Sequence, residues 1–189
     1  MTEKLKSKFL KTALELLPLY GLSDELLTET EKQTSFSNVF PSIKDLVEYH
    51  LENNDVLMLK ELKKQEKKNL KIRDKIKAAI LIRFSLNDRE IITEIAKFLL
   101  KPQNADLAFK SLAKTCDEIW IFAGDNSADF NYYTKRGLLA AIYSATLAYY
   151  IKKTDITNED LEKFINNRIS NILELGSFKD KITNFFCKK

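Results

Sequence analysis

The chain has 189 residues, 44% apolar and 31% charged, with a formal net charge of +4. That is a globular balance, sufficient for one core with a small accessory module, and it excludes a disordered chain. Four Gly and three Pro are too few for the tight turns of a sandwich or barrel, so the sequence predicts an all-α fold.

Two Cys, at positions 116 and 187, are too few for a disulfide framework and suit a reducing compartment. The charge is uneven. Residues 60–77 carry nine bases against three acids, and the tail from Phe178 carries four against one, which leaves the remainder acidic. The N-terminal stretch contains Glu3 and Glu15 and no Arg, so neither a secretory signal nor a mitochondrial presequence is expected. The longest apolar run, 138–151, has 14 residues, short of the roughly 20 that a membrane crossing needs.

In chain order, Leu5, Phe9, Ala13, Leu16, Leu17 and Tyr20 share one face of a first helix over 3–20, which Pro18 kinks or ends early and Gly21 stops. Ser23 caps a second helix, with Asp24 and Glu25 in its first turn. Short helices up to Phe40 complete the rhythm of a helix-turn-helix. The charges argue against DNA reading: between 18 and 40 stand Asp24, Glu25, Glu29 and Glu31 against Lys32 alone, and phosphates would repel such a segment.

Ser42 and Asp45 open a third helix as a capping-box-like pair. It carries His50, the only His, for which a structural role is expected. The basic run 60–77 reads as a solvated face, with contact to anionic lipid headgroups as the sharper alternative. Amphipathic helices follow over 72–86, from an Asp88 cap to Leu99, and over 104–122 up to Gly124. A central helix over roughly 127–152 is polar and aromatic at its start and almost free of polar groups from Leu138 on. A helix apolar on every side is buried on every side, so 138–151 crosses the middle of the domain or forms a subunit interface. Thr157 and Asp160 cap the next helix, Gly176 stops it, and Ser177 opens a short last one. The expected division is a helix-turn-helix-like module over 1–40, a main helical domain over 41–175, and an amphipathic helix over 176–189.

Catalytic chemistry has little to work with. One His and no Gly-flanked Ser or Cys leave no nucleophile to activate. Gly at 21, 124, 137 and 176 spells no phosphate-binding loop. No Glu-x-x-His pair exists for a helical di-iron site. Asp117, Asp125 and Asp129 read as cap and salt-bridge carboxylates. No metal or cofactor is expected, and the sequence is that of a binding protein more than an enzyme. Apolar surface on 72–86, 91–100 and 138–151 exceeds what a minimal core needs, which permits a pocket. Ile76, Ile80, Phe84, Ile95, Leu99, Leu139, Ile142 and Tyr143 are its candidate lining. In the tail, Phe178, Ile182, Phe185 and Phe186 share one helix face beside Lys179 and Lys181, a profile suited to a membrane interface.

The block Asp117-Glu-Ile-Trp120, Ala123-Gly-Asp125, Asp129-Phe-Asn131, Tyr133-Thr-Lys-Arg136 and Leu138–Tyr143, with Phe164–Arg168 beyond it, resembles a known family. These are the lipid-binding accessory proteins of ubiquinone biosynthesis numbered ninth in the coenzyme Q series, with mitochondrial and alphaproteobacterial members. The resemblance runs over nearly the whole chain. It implies a TetR-regulator-like helical bundle with a degenerate N-terminal helix-turn-helix and a C-terminal amphipathic membrane helix, and a homodimer without DNA binding. It implies an isoprenoid quinone intermediate, or a phospholipid, held in an apolar pocket. It also implies presentation of that intermediate to a membrane-bound di-iron hydroxylase acting on demethoxyubiquinone. The partner surface implied is Asp117, Ile119, Trp120, Asp129, Tyr132, Tyr133 and Arg136. The family commonly has Trp where this chain has Tyr132. With no presequence expected, the placement expected is cytoplasmic, peripheral on the inner membrane of a bacterium. The residues also leave open a TetR-like regulator with a lipid effector, or a ligand-free dimeric scaffold.

Overall fold

The computed structural model describes residues 2–65, 70–125 and 130–171, with the backbone alone at 130 and 131. All regular structure among them is helical. The helices are α1 (Glu3–Tyr20), α2 (Asp24–Thr34), α3 (Ile43–Gln65), α4 (Ile72–Ser85), α5 (Arg89–Leu99), α6 (Ala105–Ala123) and α7 (Phe130–Lys152), with a 3-10 turn at Pro102–Asn104. Residues 158–171 form α8. The expected tail helix, with Phe178, Lys179, Lys181, Ile182, Phe185 and Phe186, lies outside the described residues, as does Asp129.

Local chemistry accounts for most helix ends. Gly21 ends α1 at φ 61°, a conformation that costs glycine little. Pro18 sits inside α1 without ending it early. Ser23 accepts from the Leu26 N–H at 3.4 Å and Ser42 from the Asp45 N–H at 3.3 Å, relieving unsatisfied donors of α2 and α3. Thr157 and Asp160 exchange the reciprocal bonds of a capping box, at 3.1 and 3.4 Å. Asp88 occupies its cap position without a side-chain bond.

The short helices expected up to Phe40 are reduced to one. After α2 the chain turns through residues 35–42 without a helix, with Ser35 and Asn38 at φ 58° and 54°. Glu31 accepts from the Asn38 N–H at 2.6 Å, and Val39 and Phe40 are buried. Two left-handed residues and two side chains drawn into the core leave no continuous helix there.

That N-terminal core joins Phe9, Ala13, Leu17, Leu26, Phe40 and Leu46. The main core joins Met58, Ile80, Cys116, Ile119, Leu139 and Ile165 of α3, α4, α6, α7 and α8. Each such fully buried large side chain contributes roughly 1.5–3 kcal/mol. Helices α3 and α6 run parallel and are laced along their rims: Lys44 to Asp106 at 2.7 Å, Glu48 to Lys110 at 2.6 Å and Glu52 to Lys114 at 2.6 Å. The constant step of four on both helices keeps one face on one face.

Of the two placements expected for the apolar part of α7, the middle of the domain is not the one observed. From 138 on α7 is apolar in composition, yet Leu138, Ala141, Ser144 and Ala148 are exposed along one stripe. The helix lies against the bundle with one face open and does not cross its middle, because α4, α5, α6 and α8 cover only its other faces.

Candidate functional site

A cavity of about 320 Å³ opens between α3, α4, α5, α6 and α7. Arg89 holds two of its walls together: it donates to the α7 carbonyl of Ile151 at 3.0 Å and to Thr154 O at 3.2 Å, placing its cation at the negative end of α7. Asn104 donates to Phe98 O at 2.8 Å and so fixes the α5–α6 corner.

The walls are mainly apolar, with Ile92, Ile95, Ala96, Leu99, Leu112 and Leu147 prominent. His50, Asn54, Arg83 and Thr115 also reach the cavity, and all four are buried. Arg83 Nε donates to Asp55 Oδ1 at 3.1 Å, and Thr115 donates to the same carboxylate at 2.9 Å. Burial pushes the Asp55 carboxyl up, with Arg83 and Thr115 pulling against it. His50 pairs through Nε2 with the Asn54 amide at 2.8 Å. Burial, and then the Arg83 charge, bring its pKa down to about 3, so the imidazole is neutral. Tyr143, also on the wall, has its hydroxyl pKa raised, first by burial.

Of the lining residues expected from sequence, Ile95, Leu99 and Tyr143 border the cavity. Ile76, Ile80, Phe84, Leu139 and Ile142 do not. They are 0–6% exposed and pack into the main core, because the faces of α4 and α7 they occupy turn toward each other and α8. The polar lining was missed, although its signal is present: His50, Asn54, Arg83 and Thr115 interrupt apolar stripes at helical spacing.

The second cluster lies where α6 meets α7. Arg136 Nε donates to Asp117 Oδ1 at 2.6 Å, and Nη1 donates to Asp125 Oδ2 at 3.2 Å. Its guanidinium stacks over the Tyr132 ring at 3.4 Å, and Tyr132 Oη donates to Asp117 at 3.2 Å. Burial works against the Arg136 charge, but Asp117 and then Asp125 outweigh it and raise the pKa further. Lys135 pairs with Asp125 at 2.5 Å. Trp120 Nε1 donates to the Lys135 carbonyl at 3.0 Å, tying the helices together. The structure thus brings together Asp117, Trp120, Tyr132 and Arg136. Tyr133 meets the Tyr132 ring edge-on and is 74% exposed. Ile119 is 0% exposed and offers no surface to a partner, since it is on the inward face of α6. Asp125, set by the left-handed cap at Gly124 (φ 93°), joins the cluster in the salt-bridge role expected of it, although it was not among the expected partner-surface residues. Among the described residues no group of His, Cys, Asp and Glu could hold a metal ion, and no helix is long and apolar enough to cross a membrane.

Residues 105–176 match the COQ9 family model. The chain is 27% identical to the ubiquinone biosynthesis protein COQ9-B, mitochondrial, of Xenopus laevis, over 96% of this chain and 67% of that protein. It is 26% identical to human COQ9, mitochondrial, over 92% of this chain and 59% of the relative. With coq9, mitochondrial, of Schizosaccharomyces pombe it shares 29% identity, over 92% and 76%. It spans about three-fifths to two-thirds of the length of the vertebrate proteins. These relatives are named mitochondrial, which overturns the expected bacterial, cytoplasmic placement. Among solved structures, a TetR transcriptional regulator from Nitrosomonas europaea superposes with a TM-score of 0.70 at 16% identity, over 89% of this chain and 97% of that one. Over 105–176 the chain thus resembles the COQ9 family, with similarity to proteins of that name running over more than nine-tenths of its length, on a fold like that of a TetR regulator.

Proposed function

We propose that the protein serves ubiquinone biosynthesis as a non-enzymatic lipid carrier. Its cavity holds an isoprenoid quinone intermediate, and the face of α6 and α7 bearing Tyr132, Tyr133 and Arg136 docks the membrane-bound di-iron hydroxylase that acts on demethoxyubiquinone. The observation carrying the reading is the cavity of about 320 Å³, within the 300–1,000 Å³ range of ligand sites, apolar over most of its wall. The names of the relatives support the pathway. Docking through Tyr133 is supported by the exposure of an aromatic ring beside a half-buried ion cluster, the profile of an interface anchor.

DNA reading gains no support. The segment after α2 that would supply a second short helix holds none, and α2 carries acids in its first turn.

The test is lipid extraction and mass spectrometry on protein purified from a quinone-producing host. An isoprenoid lipid should co-purify, and Ala108→Trp, which projects an indole from the cavity wall, should remove it without unfolding the protein. Equal lipid on both proteins, or none on the parent, would sink the carrier reading.

A further inference from the structure

The basic run 60–77 has no part in the cavity or in the α6–α7 cluster, and the fold gathers it at one end of the bundle. Helix α3 ends at Gln65 and α4 begins at Ile72. Each sends a side chain, Leu62 and Ile76, into the main core just inside that end. Lys75 Nζ stands 5.5 Å over the Phe122 ring, which brings the last turn of α6 alongside. Lys60, Lys63, Lys64, Lys71 and Arg73 are exposed here. Lys64 pairs with Glu61 at 3.0 Å and Lys77 with Glu162 at 2.7 Å. Among the described residues no ion pair engages Lys60, Lys63, Lys71 or Arg73.

The same end is apolar at its surface. Five of the ten large apolar side chains exposed among the described residues lie on it or one helical turn away: Val56, Leu57, Leu70, Ile72 and Ile121. Ile72 is 52% and Ile121 57% exposed. A helix end built only for water would set polar groups between its bases, since apolar area left in water costs free energy. Aliphatic side chains flanked by lysines suit a bilayer interface instead. The aliphatic groups enter the acyl boundary, and the long basic side chains reach back to the headgroups. Residues 60–77 carry nine bases against three acids while the whole chain nets +4, so the remainder is net negative. The field therefore turns this end, and not the acidic α2, toward an anionic surface. Single-stranded nucleic acid would call for aromatic platforms between the bases, and the exposed apolar groups here are aliphatic.

We infer that the end of the bundle formed by α3, α4 and α6 is a docking surface for an anionic phospholipid bilayer. Leu70, Ile72 and Ile121 enter the headgroup boundary, and Lys60, Lys63, Lys71 and Arg73 meet lipid phosphates. The surface is separate in sequence from the amphipathic tail, and it stands whether or not the carrier reading holds. Ile121 shares α6 with Asp117 and Trp120, so docking here sets the angle at which the α6–α7 face meets a membrane-bound partner.

The experiment is sedimentation of the full chain with vesicles of phosphatidylcholine alone or mixed with an equal part of phosphatidylglycerol, at low and physiological salt. The parent should partition onto the anionic vesicles preferentially and more weakly as salt rises. Lys63→Gln with Arg73→Gln should weaken that partitioning about thirtyfold, the effect of two charges at about 1 kcal/mol each. Ile72→Ser with Ile121→Ser should weaken it severalfold and leave a residual binding that salt abolishes. Lys4→Gln with Lys11→Gln removes the same charge from exposed positions of α1 and should leave partitioning within about twofold of the parent. All six positions are exposed, so thermal unfolding of the variants should match the parent. Equal losses for the two charge pairs would reduce the effect to net charge and overturn a local surface, as would undiminished binding after Lys63→Gln with Arg73→Gln. Tighter retention of an oligonucleotide than of anionic vesicles, lost with that same pair, would assign the end to nucleic acid and overturn the lipid assignment.

Discussion

Arg83 of α4 donates to Asp55 of α3 at 3.1 Å with only 7% and 5% of the two side chains exposed. The pair sits in the wall that α3, α4 and α6 share, and Thr115 adds a third helix to it. Both groups have lost water, so the geometry rather than the charge alone makes the pair tolerable. It is the polar counterpart of the apolar contacts that close the main core around it.

Arg83→Met should therefore destabilise the fold by about 3–5 kcal/mol at neutral pH by leaving a buried carboxylate unmatched. Adding Asp55→Leu should recover much of that loss. Urea unfolding of the two variants checks it, and a neutral single variant would contradict the buried pair. The pH dependence has a defined sign. The Asp55 carboxyl is already raised, with burial as the main cause and Arg83 opposing, so removing Arg83 raises it further. An acid whose folded pKa exceeds its unfolded value binds its proton more readily when folded, and stability is lost as pH rises through that window. The deficit of Arg83→Met should shrink on acidification from pH 7 toward 5.

His50 behaves in the opposite sense. Its folded pKa is lowered to about 3, whereas the unfolded imidazole titrates near the usual value of about 6.5. Below that value the unfolded chain takes up a proton that the folded chain refuses. Stability should fall by roughly 1.4 kcal/mol for each pH unit between about 6.5 and 3. His50→Leu should abolish that component of acid lability. Because the chain has one His, proton NMR reads it directly, and its ring resonances should not shift between pH 8 and pH 5. A midpoint near 6.5 would show that the ring is not buried in solution.

Two glycines should respond with opposite signs. Gly124 ends α6 at φ 93°, and a Cβ there would meet nothing within 4 Å. Gly124→Ala should cost about 1–2 kcal/mol by backbone strain alone and loosen Asp125 beside it. Gly137 lies within α7 with equally open space, and Gly137→Ala should stabilise by about 0.5–1 kcal/mol through helix propensity. Thermal unfolding of both separates strain from crowding, since crowding would make both variants less stable.

The helices were legible because they carry apolar stripes at helical period and chemical starts or stops: Ser23, Ser42 and Thr157 open helices, and Gly21 and Gly124 end them. What periodicity could not say is which buried face meets which. Ile76, Ile80 and Phe84 share one stripe with Arg83, yet they face the main core while Arg83 reaches the cavity. That distinction depends on where α6 and α7 settle, a tertiary property. The short helix expected before Phe40 failed because Val39 and Phe40 are drawn inward, and such burial outweighs weak local propensity. At the α6–α7 cluster, Asp117, Trp120, Tyr132 and Arg136 stood out as one dense polar-aromatic block. Ile119 belonged to that block by position only, since its place two residues after Asp117 and one before Trp120 turns it inward on α6.

Tyr132 and Tyr133 are neighbours with different work. Tyr132 lies under the Arg136 guanidinium at 3.4 Å and bonds Asp117, so Tyr132→Ala removes a stacked cation and a hydrogen bond, about 1–2 kcal/mol of stability. Tyr133 is 74% exposed, and Tyr133→Ala should change stability by less than about 0.5 kcal/mol. If the face docks the proposed hydroxylase, both substitutions should weaken its pull-down, but only Tyr132→Ala should lower the unfolding temperature. Tyr132→Phe keeps the ring beneath Arg136 and should lose the Asp117 bond alone. A Tyr133→Ala protein with full stability and undiminished hydroxylase capture would remove the exposed ring from the interface. Loss of capture by Tyr132→Ala alone would then be read as disorder of the α7 start rather than loss of an anchor.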